Sequence, residues 1–165
     1  MARTSFDYII VGAGSAGSVL ANRLSKNPAN RVLLIEAGPP DRSIFLHMPG
    51  AFAEPLKNDR FNWFYESAPE PFMDNRQMYC PRGRVLGGSS SINGMCYVRG
   101  HAFDYDRWAS NALPDWSYAH CLPYFRKAET WEKGSDEYRG DSGPLHVSDG
   151  PCKNPLYEAF VEAGI

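Results

Sequence analysis

Three glycines carry the first chemistry in this sequence. They stand at Gly12, Gly14 and Gly17, a spacing in which the first makes a tight turn, the second lets a pyrophosphate approach the backbone and the third lets a helix pack on a strand. Ser15 and Ala16 fill the turn, and the N–H groups here would open a helix whose positive end favours phosphate. Glu36 follows nineteen residues after Gly17, about where a β–α–β unit places its ribose-binding carboxylate. Such a carboxylate accepts both hydroxyls of an adenosine ribose and repels a 2′-phosphate, which argues against NADP.

Glycines at this spacing also occur in ordinary loops, so the elements around them decide. The apolar run Tyr8–Val11 reads as a strand, and Ala16, Val19, Leu20 and Leu24 give residues 15–27 helical spacing. Asn27-Pro28-Ala29-Asn30 stops that helix, and Arg31–Glu36 reads as a second, parallel strand. Matched strand, helix and strand within a unit of ~30 residues favour a nucleotide site over a unit that binds nothing.

Beyond Glu36 the pattern departs from a simple nicotinamide-binding domain. Residues 37–82 form a proline-punctuated, aromatic excursion, too long for a plain linker and expected to lie over the domain or its ligand. Within it, core packing is favoured over ligand contact for Trp63, Phe64 and Tyr65. A second glycine stretch, residues 81–96, carries Gly87-Gly88 and then Ser89-Ser90-Ser91. The glycines permit close approach or positive φ, and the serines would cap a short helix through Ile92 and Met95. With Asn93 alongside, the stretch suits a flat, hydrogen-bonding ligand, or equally a serine-rich turn that caps a helix.

The remainder reads as support. Helices are expected over 103–109 and from a Ser117 cap to about Ala128, with Pro123 bending or breaking the second. A polar loop over 132–142 precedes a strand at 144–147. A last helix opens with Asn154 as cap and Pro155 in its first turn. The sequence stops inside that helix, so an N-terminal portion of a longer protein is expected.

Composition narrows the partners. The chain has 165 residues and a formal net charge of −2, so no basic footprint invites nucleic acid. Cys80, Cys96, Cys121 and Cys152 show no metal-ligand spacing, and the chain enters its first strand without a signal peptide. A cytoplasmic protein with reduced thiols is expected. No apolar run approaches the ~20 residues that cross a bilayer, which leaves peripheral attachment at the inner face of a membrane open.

With both glycine stretches in hand, the chain resembles the glucose–methanol–choline family of flavoprotein oxidoreductases over essentially its whole length. The resemblance rests on Gly12-x-Gly14-x-x-Gly17 with Glu36-Ala37-Gly38, and on the run Gly83 to Asn93 followed by Tyr97, Gly100 and Asp106. It implies an α/β fold: an incomplete, doubly wound, Rossmann-like FAD-binding domain with long irregular loops over the cofactor. Gly12, Gly14, Ser15, Ala16 and Gly17 would then face the FAD pyrophosphate. Glu36 and Ala37 would lie at the adenosine ribose. Val85, Gly88, Asn93, Gly94, Met95 and Cys96 would lie along the flavin.

The strings 70–73, 91–100 and 122–129 look most like the bacterial choline-oxidising branch, with aliphatic and polyethylene-glycol alcohols as alternative substrates. The implied reaction takes a proton from an alcohol and passes hydride to the flavin, with a quinone-like or other acceptor receiving the electrons. Where some family members tether FAD through a histidine, this chain has Ile92, so FAD is expected to be held non-covalently. The family's catalytic histidine has no match among His47, His101, His120 and His146, which read as surface or packing residues. The substrate domain is expected to lie outside this sequence, and residues 1–165 alone are expected to be inactive.

Overall fold

A computed structural model describes residues 5–150 and 154–164 of the chain. Cys152 lies outside the described residues. The fold divides into two compact units, Met1–Cys96 and Tyr97–Ile165.

The first unit opens as the periodicity requires. Strand β1 (Tyr8–Val11), helix α1 (Ser15–Leu24) and strand β2 (Val32–Ile35) form a β–α–β unit whose strands pair in parallel, Tyr8 with Val32 through Val11 with Ile35. The alternation of β1 has a physical consequence. Ile10 is buried under α1, whereas Ile9 and Val11 on the opposite face are 61% and 84% exposed. Helix α1 ends earlier than expected, at Leu24, because the Asn30 side chain donates to the Leu24 carbonyl (2.9 Å) and turns the chain back towards β2.

The excursion that follows is built of short pieces. Helices α2 (Ile44–His47) and α3 (Ala53–Leu56) precede a two-residue antiparallel ladder, β3 (Tyr65–Glu66) against β4 (Tyr79–Cys80). Its apolar anchors are Leu46, Leu56 and Phe61, which pack on Val85 and Ile92 of the second glycine stretch. The expected core role of Trp63, Phe64 and Tyr65 is overturned: these rings are 41%, 43% and 52% exposed. Trp63 and Tyr65 stack face to face with centroids 6.0 Å apart, and the Arg84 guanidinium lies over Trp63 at 5.4 Å.

The second unit contains α4 (Ala102–Ser110), α5 (Tyr118–Ala128), the parallel strands β5 (Glu129–Trp131) and β6 (Leu145–Val147), and α6 (Pro155–Glu162). One cap is new and one differs from expectation. His101 caps α4 in a reciprocal box: its Nδ1 accepts from Phe103 N–H, and Asp104 accepts from His101 N–H, each at 3.2 Å. Ser117 does not cap α5. Its hydroxyl pairs with His120 Nδ1 at 2.7 Å, and Asp106 of α4 accepts the Tyr118 N–H at 3.0 Å instead. Pro123 sits inside α5 without ending it.

The buried centre of the second unit is a carboxylate. Glu129 is fully buried, and its Oε1 meets Arg99 Nη2 at 2.5 Å, Arg139 Nε at 3.1 Å and the Gly140 N–H at 3.0 Å. Arg99 also donates to the Tyr138 carbonyl at 2.6 Å. Burial alone would lower the Arg99 pKa, but the Tyr97 hydroxyl and the Glu129 carboxylate outweigh it and hold the guanidinium above its ordinary value.

Candidate functional site

The two glycine stretches, distant in sequence, meet in the first unit. Gly87 N–H donates to the Ala13 carbonyl at 2.8 Å, and Leu86 N–H to the Pro39 carbonyl at 3.0 Å. The closest approach is between Gly88 and Gly14. A Cβ on Gly88 would stand 2.8 Å from Gly14 Cα, and Gly88 has φ +59°, so a side chain there is excluded by both space and backbone. Gly17 is excluded by space alone, since its Cβ would fall 1.9 Å from the Gly12 carbonyl oxygen. Gly14 is different. Its Cβ would find only Gly88 Cα, at 3.9 Å, so nothing in the protein itself requires a glycine there.

Helix α1 leaves its first donors free. No side chain caps it, and the first bond back to its cap runs from Ser18 N–H to the Gly14 carbonyl at 2.9 Å. The N–H groups of Ser15, Ala16 and Gly17 therefore have no partner among the described residues. Three free donors at the positive end of a ten-residue helix form a site for an anion.

Glu36 closes the other side of this loop. Its Oε2 accepts the Ala13 N–H at 2.8 Å and its Oε1 accepts the Gly38 N–H at 2.9 Å. Gly12 N–H donates to the Ile35 carbonyl at 2.7 Å, which continues the parallel ladder into the turn. Glu36 is partly exposed and has no cation partner among the described residues. A carboxylate offers about four acceptor sites. The two bonds to backbone leave capacity for two hydroxyls, and Ala37 is exposed beside it.

The serine run forms a different structure from the one expected. Residues Gly88–Ser91 make a 3₁₀ turn rather than a helix reaching Met95, and Gly87 at its start has φ +94°. The serine hydroxyls turn inward. Ser90 donates to the Gly87 carbonyl (2.6 Å), Ser91 donates to the Leu86 carbonyl (2.8 Å), and Ser89 accepts the Gly83 N–H (3.0 Å). Asn93 then accepts the Met95 N–H at 2.9 Å, and Met95 takes φ +59°, which ends the regular turn.

The residues expected along the flavin divide by exposure. Asn93, Gly94, Met95 and Cys96 are exposed, and the Asn93 amide nitrogen has no partner among the described residues. Val85 is fully buried in the core with Phe61 and Ile92, so it offers a ligand no accessible surface. The Val85 side chain is taken up by apolar packing. Gly88 is buried against Gly14 and shapes the loop by its absence of side chain.

Sequence reasoning missed Asn62, which is 2% exposed at the join between the excursion and the second glycine stretch. The only signal was an asparagine inside an aromatic run. None of the histidines is hydrogen-bonded to these residues: His47 contacts Asp41, while His101 and His120 serve α4 and α5. No helix among the described residues is long and apolar enough to cross a membrane.

Comparison with known proteins agrees with this architecture. The chain is 56% identical over 163 residues to an oxygen-dependent choline dehydrogenase of Photobacterium profundum, covering 98% of this chain and 29% of that protein. It is 57% identical over 164 residues to the oxygen-dependent choline dehydrogenase of Escherichia coli, covering 97% of this chain and 30% of the relative. The chain thus spans about three tenths of the length of the curated relatives it matches. Among solved structures, pyridoxine 4-oxidase from Mesorbium loti superposes with a TM-score of 0.88 at 37% identity, covering 97% of this chain and 32% of that one. A formate oxidase superposes with a TM-score of 0.83 at 30% identity, covering 96% and 30%. Residues 6–165 match the sequence profile of the GMC oxidoreductases, and the chain belongs to that family.

Proposed function

We propose that this chain is the N-terminal, FAD-binding portion of an alcohol dehydrogenase that oxidises choline to betaine aldehyde. The observation that carries the reading is the junction of the two glycine stretches. Free N–H groups of Ser15, Ala16 and Gly17 lie beside an open Gly14, with the Glu36 carboxylate held by backbone donors on the other side.

The residues fit the cofactor as follows. The N–H groups at the α1 terminus would neutralise the pyrophosphate, and Gly12, Gly14 and Gly17 shape the turn that admits it. The remaining acceptor sites of Glu36 would take the adenosine ribose hydroxyls, with Ala37 alongside. Asn93, Gly94, Met95 and Cys96 form the exposed run that would follow the flavin, with the Asn93 amide as donor. Ile92 supports non-covalent retention: it is an aliphatic side chain, only 4% exposed and packed with Phe61 and Val85. Bound FAD would supply the hydride acceptor, and protein groups would position the alcohol and take its proton.

The proton-accepting base and the substrate domain are placed outside this chain, and residues 1–165 alone are proposed to be inactive. Choline is the substrate favoured by similarity to the choline dehydrogenases. A second reading, the same chemistry on another alcohol, draws on similarity to an oxidase of pyridoxine. Electrons would pass to a quinone-like or other acceptor, from a cytoplasmic enzyme or one attached peripherally to the inner face of the membrane.

The test is a visible absorption spectrum of the whole protein that contains this chain, before and after acid precipitation and then with anaerobic choline. Yellow colour released to the supernatant and bleached by choline supports the proposal. Flavin retained in the pellet overturns non-covalent binding. Bleaching by another alcohol but not by choline moves the assignment to the second reading.

A further inference from the structure

We infer that Asn62 is a positioning residue for the flavin half of the cofactor site, an inference that rests on the FAD reading above. Asn62 is 2% exposed and uses every hydrogen-bonding position it has. Its Oδ1 accepts the N–H of Arg82 at 3.0 Å and of Phe64 at 3.2 Å. Its Nδ2 donates to the Leu56 carbonyl at 2.8 Å and to the Tyr79 hydroxyl, which itself donates to the Leu56 carbonyl. One amide thereby ties α3, β4 and the entry to the second glycine stretch.

What it ties bears directly on the site. Arg82 immediately precedes Gly83, and Asn62 and Gly83 form an antiparallel bridge. Arg84 N–H donates to the Phe61 carbonyl at 2.8 Å, so residues 61–62 grip residues 82–84 from both sides. Gly83 in turn donates to Ser89, and the turn that follows brings Gly88 onto Gly14. Asn62 fixes where residues 82–84 run, and those residues fix the path of 85–96. The α1 terminus and Glu36 have a further anchor of their own in β1 and β2, besides the Gly87–Ala13 and Leu86–Pro39 bonds and the Gly88–Gly14 contact that join them to residues 86–88.

That additional anchor makes the role measurable, because ADP would use α1 and Glu36 alone whereas FAD would also use residues 88–96. The variants are made in the whole protein, stripped of flavin, with affinities for ADP and FAD measured by calorimetry and melting temperature recorded for each. Asn62→Ala removes both arms. Asn62→Asp keeps the acceptor arm to Arg82 and loses the donors to Leu56 and Tyr79. Tyr79→Phe leaves the Arg82 arm untouched and controls for general loosening.

Asn62→Ala is expected to weaken FAD binding roughly tenfold or more while ADP binding stays within about twofold. Asn62→Asp is expected to recover part of the FAD affinity although it places an acid in a buried site. Equal losses for ADP and FAD, or FAD losses that simply follow melting temperature across the three variants, overturn the assignment and make Asn62 a structural residue only. Wild-type protein that binds ADP but gains nothing from the flavin half overturns it as well. Wild-type protein that binds neither ligand overturns the cofactor reading itself, and the positioning role with it.

Discussion

Each unit of this protein has an organising carboxylate, and the two are held in opposite ways. Glu129 is fully buried, and its Oε1 faces two arginines of its own unit and a backbone N–H, while its Oε2 has no hydrogen-bond partner among the described residues. Glu36 is partly exposed and accepts only backbone N–H groups, from Ala13 and Gly38. A fully buried carboxylate among its own cations is out of a ligand's reach, and its removal leaves positive charge stranded. A carboxylate held by neutral donors keeps its charge and half its acceptor capacity available. The partner that neutralises an acid, more than the acid itself, separates a structural group from a binding group.

The largest expected effect breaks the structural side of this contrast. Glu129→Gln leaves Arg99 and Arg139 without an anion in a buried setting and is expected to cost about 3–5 kcal/mol of stability, measured by urea unfolding. A cost below about 1 kcal/mol would mean that solvent reaches the two guanidinium groups and the burial argument fails.

The glycines sharpen the contrast from the other unit. Gly17→Ala drives a methyl group against the Gly12 carbonyl and is expected to cost about 1–3 kcal/mol whether or not cofactor is present. Gly14→Ala has room for its methyl and is expected to change the stability of the flavin-free protein by less than about 0.5 kcal/mol, while sharply reducing ADP affinity. Comparable melting temperatures for the two variants would show that the glycine loop relaxes more freely than its contacts indicate.

Glu36→Gln is expected to have an intermediate effect. An amide cannot accept from both Ala13 and Gly38 through two oxygens, so one backbone N–H loses its partner at a cost of about 1–2 kcal/mol. Calorimetry with ADP should show weakened binding as well. Unchanged ADP affinity would remove Glu36 from the ribose and leave it a loop clamp, which would erase the contrast with Glu129.

The smallest effect is a pH dependence at the loop near Glu129. Asp136 accepts the N–H of Arg139 at 2.6 Å and of Tyr138 at 2.7 Å, and these bonds hold its carboxyl below its ordinary value. Because the folded pKa is the lower one, its contribution is present above the ordinary aspartate pKa and fades as pH falls through the folded value. Protection of the Tyr138 and Arg139 amides from exchange, taken relative to the intrinsic rate at each pH, should fall on acidification in wild type, and should be low already at neutral pH in Asp136→Ala with no acid dependence. An identical acid profile in both proteins would assign the loss to another group.

Much of the cofactor side was legible because it is local. A parallel β–α–β unit needs an apolar strand, a glycine turn, an amphipathic helix and a second strand in immediate succession, and residues 8–36 spell these out. Helix α6 was legible for the same reason, since the Asn154 cap and Pro155 act within one turn. Contacts between distant segments were not. Asp106 rather than Ser117 capping α5, Val85 turning into the core and Trp63 remaining outside it all depend on which surfaces meet after folding.

By itself the sequence determined the turn and helix end that present free N–H groups, the acid that follows β2, and the family, because backbone geometry over a few residues dictates each of them. Only the tertiary structure decided that Gly88 would sit on Gly14, that Glu36 would clamp Ala13 and Gly38, and that Asn62 and Glu129 would be buried. Those outcomes turn on close approach and on which donors remain after burial, and a polar side chain's partners can be counted only once distant segments are in contact.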